Sequence, residues 1–195
     1  MTTANAINLT SADLQGFTDK GAIQIKDAGS SERQQARCLG VLPLLHKRVA
    51  YVLSHSYQQS GDSYLRAAHS EVSVFPNAKL AGGYLNALGS KRTPACSVPA
   101  IRKAFGPTLR NLRVRMHHIP AEVAGGVGWR TTLLWKSGEP RREFIDVFAF
   151  ARGRAVVALT TTSFPSLFPQ EVDGHLVQLL AARASAQGTV SQRTG

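Results

Sequence analysis

The sequence predicts an α+β fold, a mostly antiparallel twisted sheet with helices packed on it. Three observations carry that expectation. Period-2 alternation recurs in segments between Leu112 and Ser163, the pattern of half-buried strands. Those segments lie close together in the chain, so an antiparallel meander is their natural pairing. A last segment after Pro169 carries Val172, Leu176, Leu179 and Leu180 at helical spacing, one apolar stripe to lay on a sheet face.

With 195 residues, 43% of them hydrophobic, the chain can bury a core without staples and is too apolar to be wholly disordered. No apolar run approaches the ~20 residues needed to span a bilayer. The expected organisation is one α+β domain over 1–186, with a less regular part over 1–63 and a strand–helix–helix–meander–helix core over 64–186. A disordered tail follows over 187–195.

In chain order, Ile7-Asn8-Leu9 and Leu14-Gln15-Gly16-Phe17 read as short extended pieces around Asp13. Ala22-Ile23-Gln24-Ile25-Lys26 alternates as a short strand. Ser30-Ser31-Glu32 caps a helix from about Arg33 to Leu39 that carries Cys38. Gln58 to Asp62 reads as a turn or loop. A strand is expected over Ala67–Phe75, then a helix started by Pro76-Asn77 with Leu80, Tyr84, Leu85 and Leu88 on one face and Gly89 at its end. Gly82-Gly83 inside it costs about 1 kcal/mol each, which suggests close packing or a ligand there. Pro94 breaks the chain. Ser97 caps a second short helix, with Pro99 in its first turn and Gly106-Pro107 after its end.

The strands follow. Leu112, Val114, Met116 and His118 alternate with Arg113, Arg115 and His117, giving a basic outer face. Trp129, Thr131, Leu133 and Trp135 alternate with Arg130, Thr132 and Lys136, and Ser137-Gly138-Glu139-Pro140 is a turn. Phe144, Asp146, Phe148 and Phe150 alternate with Ile145, Val147 and Ala149, and Arg152-Gly153 marks a tight hairpin. Ala155–Ser163 is β-branched and apolar, a central strand. In the final helix Glu171 and Asp173 complement the N-terminal dipole, and Ala186 is the expected end.

The formal net charge is +11, a field that attracts anions such as acidic lipid headgroups, anionic envelope polymers or nucleic acid. The basic residues are scattered in pairs, with no run of a disordered basic arm. Cys38 and Cys96 fit no C-x-x-C redox or zinc pattern; they are two buried thiols in an intracellular protein or one disulfide in an exported one. The N-terminus has neither a basic n-region nor an apolar h-region, so the chain is expected to be cytoplasmic or a mature form.

Catalytic motifs are absent: no G-x-S-x-G elbow, no P-loop, no H-E-x-x-H. Gly125-Gly126-Val127-Gly128 precedes a strand rather than a helix and reads as a hairpin turn. His117 and His118 point to opposite faces of a strand, and His46, His55, His69 and His175 show no ligand spacing, so neither metal nor cofactor is expected. Asp146 shares a strand face with Phe144 and Phe148. A carboxylate there must be paired, with Arg130 or Arg142, or sit at a pocket edge. The aromatic residues near it are mostly core, with part of them lining an apolar cavity between sheet and helix as the functional alternative. The ligand-binding candidates are therefore Asp146, Arg130, Trp129, Trp135, Phe144 and Phe148, with Arg113 and Arg115 as a basic surface.

Several stretches carry a family resemblance: Ala6-Ile7-Asn8-Leu9-Thr10-Ser11-Ala12-Asp13-Leu14, Ser90-Lys91-Arg92-Thr93-Pro94-Ala95-Cys96, Arg142-Glu143-Phe144-Ile145-Asp146-Val147, Gly153-Arg154-Ala155 through Phe164-Pro165, and the helix after Phe168-Pro169. They resemble small exported proteins and lipoproteins of actinobacteria. The layout is similar to the extracytoplasmic sensor-like domains of mycobacterial kinases and to lipoproteins of Mog1/PsbP-like fold. The resemblance implies export, a sheet-and-helix sandwich and a Cys38–Cys96 disulfide. It carries over no catalytic residue, and this chain has neither a signal peptide nor a lipobox cysteine.

The expected function is a non-catalytic extracytoplasmic module, secreted or membrane-anchored, that binds an apolar or anionic envelope ligand or a protein partner. Peripheral membrane association stays open. One alternative is an enzyme using Asp146 and a histidine as acid and base in a sheet–helix cleft. The other is a cytoplasmic nucleic-acid binder, disfavoured because no RNP-type motif accompanies the basic strand.

Overall fold

The computed structural model describes residues 2–23, 28–117, 123–136 and 141–192. Its strands are β1 (Thr18–Ala22), β2 (Ala50–Leu53), β3 (His55–Gly61), β4 (Tyr64–Val74), β5 (Leu109–Met116), β6 (Val127–Trp135), β7 (Arg142–Arg152) and β8 (Ala155–Phe164). All pair antiparallel in one open eight-stranded sheet of order β1-β3-β4-β8-β7-β6-β5, with β2 also on β4. The helices are α1 (Thr2–Ile7), α2 (Ala28–Leu39), α3 (Leu42–Leu45), α4 (Ala78–Leu88), α5 (Thr93–Phe105) and α6 (Gln170–Gln192). The α+β class and the antiparallel meander β5–β8 are as the periodicity predicts.

Both faces of the sheet are covered, which explains why β8 is buried without alternation from Ala155 to Leu159. On one face Phe148, Phe150, Val157 and Leu159 pack with Val72 and Ala68 against Leu176, Val177 and Leu180 of α6. On the other, the small residues Ala149, Val156 and Ala158 let α4 approach with Ala81, Tyr84, Leu85 and Leu88. The β7–β8 hairpin closes at Arg152 and Ala155, and Gly153 takes φ 54°, a left-handed conformation that suits glycine.

The N-terminal third departs most from expectation. Residues 2–7 form a helix that takes in Ile7 of the expected extended piece Ile7–Leu9, and Asn8 and Leu9 are anchored to β4: Ser70 Oγ donates to Asn8 Oδ1 (3.0 Å) and accepts from Leu9 N (2.9 Å). The first strand ends at Ala22, and residues 24–27 of the expected Ala22–Lys26 strand lie outside the described residues. Gln58–Gly61, expected as loop, belong to β3, because backbone pairing with Tyr64–Ala67 of β4 rather than side-chain apolarity holds that polar end of the strand. β2 and β3 lie in succession along one edge of β4, joined at Ser54, whose N–H donates to Ser70 O (2.8 Å) and whose Oγ accepts from Ser70 N (2.9 Å).

Three helix boundaries also shift. α2 begins at Ala28, before the expected Ser30–Glu32 cap. α5 begins at Thr93, not after Ser97: Pro94 sits in the first turn, where its missing N–H is an orphan anyway, and Pro99 lies inside. The Ser97 hydroxyl donates to Thr93 O (2.8 Å) instead of capping. α6 runs to Gln192, past Ala186; residues 193–195 lie outside the described residues, as do His118 and the 137–140 turn.

Asn77 caps α4, accepting from Leu80 N (3.0 Å). No close packing explains Gly82-Gly83: a Cβ at Gly82 meets nothing within 4 Å, and one at Gly83 meets Leu44 Cδ1 at an ordinary 3.6 Å. Gly89 is the position that needs a bare backbone. Its φ is −77°, so handedness is not the reason; a Cβ there would lie 2.5 Å from Val127 Cγ1.

Cys38 of α2 and Cys96 of α5 form a disulfide with Cα atoms 5.6 Å apart. The same two helices are joined by Gln35 Nε2 donating to Ser97 Oγ (2.7 Å) and Arg92 Nη2 to Cys38 O (2.9 Å).

Candidate functional site

α6 lies over β7 and β8 and leaves the same face of β5 and β6 open. Register decides what that open face carries. Arg115, Arg130, Asp146 and Thr161 are successive cross-strand partners, and so are Arg113, Thr132, Phe144 and Ser163. Each row starts at an exposed arginine on the edge strand and ends at a hydroxyl 1% or 2% exposed, beside the N-terminal turn of α6.

A groove of about 430 Å³ follows these rows. Arg113, Arg115, Arg142 and His117 stand around it, with Arg130 in its wall and Phe144, Met116 and Leu134 as apolar surface. Among the described residues, Arg113, Arg115 and Arg142 form no ion pair. Three cations that form no ion pair among the described residues, gathered around one concavity, make a positive field that a ligand anion would relieve.

Arg130 is different. Its Nε donates to Asp146 Oδ1 at 2.6 Å and its Nη2 to Asp146 Oδ2 at 2.8 Å, the bidentate fork that suits guanidinium and carboxylate. Asp146 is 2% exposed, so the pair is closed on the protein side and opens toward the groove only through Arg130, whose side chain is 26% exposed. Arg130 Nη2 also lies 3.4 Å from His117 Nε2, and His117 meets the Phe148 ring edge-on at 5.9 Å between centroids.

Behind the pair are buried polar side chains. Among the described residues, Thr161 Oγ1, Ser163 Oγ and Asp173 Oδ1 are buried without a hydrogen-bond partner. Burial pushes the Asp173 carboxyl up to about 7; the nearby Thr161 hydroxyl opposes the rise, the Asp146 carboxylate adds to it and Arg130 opposes it.

Among solved structures, the chain is similar to the extracellular domain of PknH from Mycobacterium tuberculosis. The likeness has a TM-score of 0.53 at 10% identity and covers 93% of this chain and 95% of that one. It shows a shared layout of sheet and helices. No protein-family model matches the chain, and no curated protein matches it in sequence.

The structure separates the residues that the sequence groups together. Arg130 and Phe144 line the groove, and so do Arg113 and Arg115. Asp146 stands behind Arg130, and Phe148 is buried under α6. Trp129 and Trp135 face the other side of the sheet: Trp129 packs with the α4 cluster, and Trp135 meets Phe105 of α5 at 5.5 Å and donates to Glu143 Oε2 (3.0 Å). Arg142 and His117 complete the groove. Alternation alone places them on the right face, but only the β5–β6–β7 register brings them together. Gly125-Gly126 leads directly into β6, so no helix N-terminus stands there to hold a phosphate. Among the described residues, no three His, Cys, Asp or Glu side chains gather to hold a metal, and no helix is long and apolar enough to cross a membrane.

Proposed function

We propose that the chain is a non-catalytic extracytoplasmic binding module whose ligand is an anion carrying several negative charges, held in the β5–β7 groove. The observation that carries this reading is the set Arg113, Arg115 and Arg142, unpaired among the described residues and gathered around Phe144. Arginine is well suited to such a ligand, because its fork matches carboxylate and phosphate oxygens. Phe144 offers an apolar surface for the ligand's body.

Two further observations support the extracytoplasmic part. The Cys38–Cys96 disulfide belongs to oxidising compartments, and the fold is shared with an extracellular domain. The exported-lipoprotein relationship suggested by sequence resemblance fits the same setting. The acid–base enzyme reading loses its main support, because both Asp146 oxygens are occupied by Arg130.

The test is thermal unfolding with tripolyphosphate as the probe. A ligand that binds only the folded state must raise Tm, and the rise is expected to shrink as salt increases. A DNA oligonucleotide of matched charge is the second arm. Tighter binding of the oligonucleotide at every salt concentration would replace this reading with nucleic-acid binding. No Tm rise with either probe at low salt would remove the groove as an anion site.

A further inference from the structure

A second concavity lies on the same face at the opposite side of α6, between that helix, the 12–17 segment and the β3–β4 ribbon. Its volume is about 520 Å³, within the roughly 300–1,000 Å³ of small-molecule sites. Its origin is legible in α6. Of the stripe Val172, Leu176, Leu179 and Leu180, only Leu176 and Leu180 are fully buried in the core. Val172 and Leu179 are half-buried and line the concavity, with Leu14, Phe17 and Phe168 opposite them. Phe17 and Phe168 meet at 6.2 Å between centroids and form one continuous aromatic wall.

The polar groups are few: Gln59 and Arg66 on the β3–β4 ribbon, Asp13 and Gln15 on the 12–17 segment, and His175 on α6. Register sets Gln59 of β3 directly across from Arg66 of β4, and Arg66 Nη1 donates to Gln59 Oε1 at a long 3.4 Å. The Arg66 guanidinium lies 5.3 Å over the Tyr64 ring, and among the described residues it forms no ion pair. The rim also holds Asp13, but that carboxylate is taken by Arg183, whose Nη2 donates to Oδ1 (2.7 Å) and Nη1 to Oδ2 (2.8 Å). Among the described residues the concavity thus offers apolar walls and one arginine, Arg66, that forms no ion pair, with His175 beside Val172 and Leu179.

We propose that this concavity binds an amphipathic monocarboxylate, an aliphatic acid whose chain lies on Phe17, Phe168, Val172 and Leu179. The carboxylate takes the Arg66 fork, and the Gln59 amide nitrogen supplies a further donor. The site is independent of the basic groove in residues, in face of α6 and in ligand chemistry.

The experiment is isothermal titration of the disulfide-intact full chain with decanoate below its micelle concentration, beside decanol of the same chain length. The expected result is saturable one-to-one binding of decanoate, with decanol and the Arg66→Gln variant each about tenfold weaker, the size of one lost charge-assisted pair. Leu179→Trp, which fills the concavity, abolishes binding, while the groove variant Arg113→Gln/Arg115→Gln binds decanoate as the wild type does. Non-saturable heats, or affinity equal to the wild type's in Arg66→Gln or Leu179→Trp proteins of unchanged far-UV circular dichroism and Tm, would overturn the proposal. Loss of decanoate binding in the groove variant would also overturn it, by moving the acid to the other site.

Discussion

Arg130 and Asp146 are direct cross-strand partners on β6 and β7, and their side chains join through two hydrogen bonds of 2.6 and 2.8 Å on the face that α6 partly covers. A strand residue that the hydrophobic pattern marks for burial is thus a carboxylate whose charge is met by an arginine reaching in from the open groove. The pair divides the polar residues of this face into two sets: exposed arginines outside it, and the buried Thr161, Ser163 and Asp173 behind it.

Removing one member should cost far more than removing both. Asp146→Ala leaves a partly buried guanidinium unpaired and is expected to destabilise by about 3 kcal/mol. The Arg130→Met/Asp146→Leu double variant should recover most of that loss, since it leaves no uncompensated charge. Urea unfolding of the three proteins checks this; a double variant no more stable than Asp146→Ala would show that the pair's geometry, not its charge balance, matters.

Asp173 makes the protein's stability fall as pH rises. The unfolded chain ionises this group above its ordinary 3.8, while the folded chain keeps the proton up to about 7. Its favourable contribution is complete below about pH 4 and is lost by about pH 7, a difference on the order of 2–4 kcal/mol. His69 acts in the opposite sense: burial lowers it from 6.5 to about 4, so its contribution is lost as pH falls through that window. The bare pH profile mixes the two, and the variant Asp173→Asn separates them. Its Tm should exceed the wild type's by more at pH 7.5 than at pH 4; a difference independent of pH would mean that Asp173 is ionised when folded.

The glycines of α4 and its end should respond oppositely to alanine. Gly82→Ala has open space and relieves a helix-interior glycine, so it is expected to stabilise by about 0.5–1 kcal/mol. Gly89→Ala drives a methyl group against Val127 and should destabilise by about 1–3 kcal/mol. Thermal unfolding that ranks Gly89→Ala above the wild type would contradict the close approach of α4 to β6.

The disulfide closes a loop across a sequence separation of 58. Cys38→Ser/Cys96→Ser should therefore cost up to about 4 kcal/mol by the loop-entropy account. Reduction of the native protein should lower Tm as far as the double substitution does, and an unchanged Tm on reduction would show that α2 and α5 hold together without it.

Much of the fold is legible in the amino-acid sequence, and the reason is physical. β5–β8 and α4 bury one face or both, so alternation and stripes mark them. β3 escapes because its polar stretch Gln58-Gln59-Ser60-Gly61 is held by backbone pairing with β4, which leaves no hydrophobic trace. α1 escapes because six residues are too few to show a period. At the site, Asp146 and Arg130 stand out as polar residues in apolar strands. Trp129 and Trp135 mislead because aromatic clustering in sequence says nothing about faces, whereas their odd-numbered register on β6 sends them toward α4 and α5.

The groove is proposed as an anion site built by Arg113, Arg115 and Arg142, which form no ion pair among the described residues. Its most direct test is the affinity of tripolyphosphate for the wild type and for Arg113→Gln/Arg115→Gln, measured by calorimetry from about 50 to about 200 mM salt. The account predicts binding that weakens with salt in the wild type, and at least tenfold weaker, flatter binding in the variant, whose fold and Tm are otherwise preserved. Equal affinity and equal salt dependence in the two proteins would contradict it.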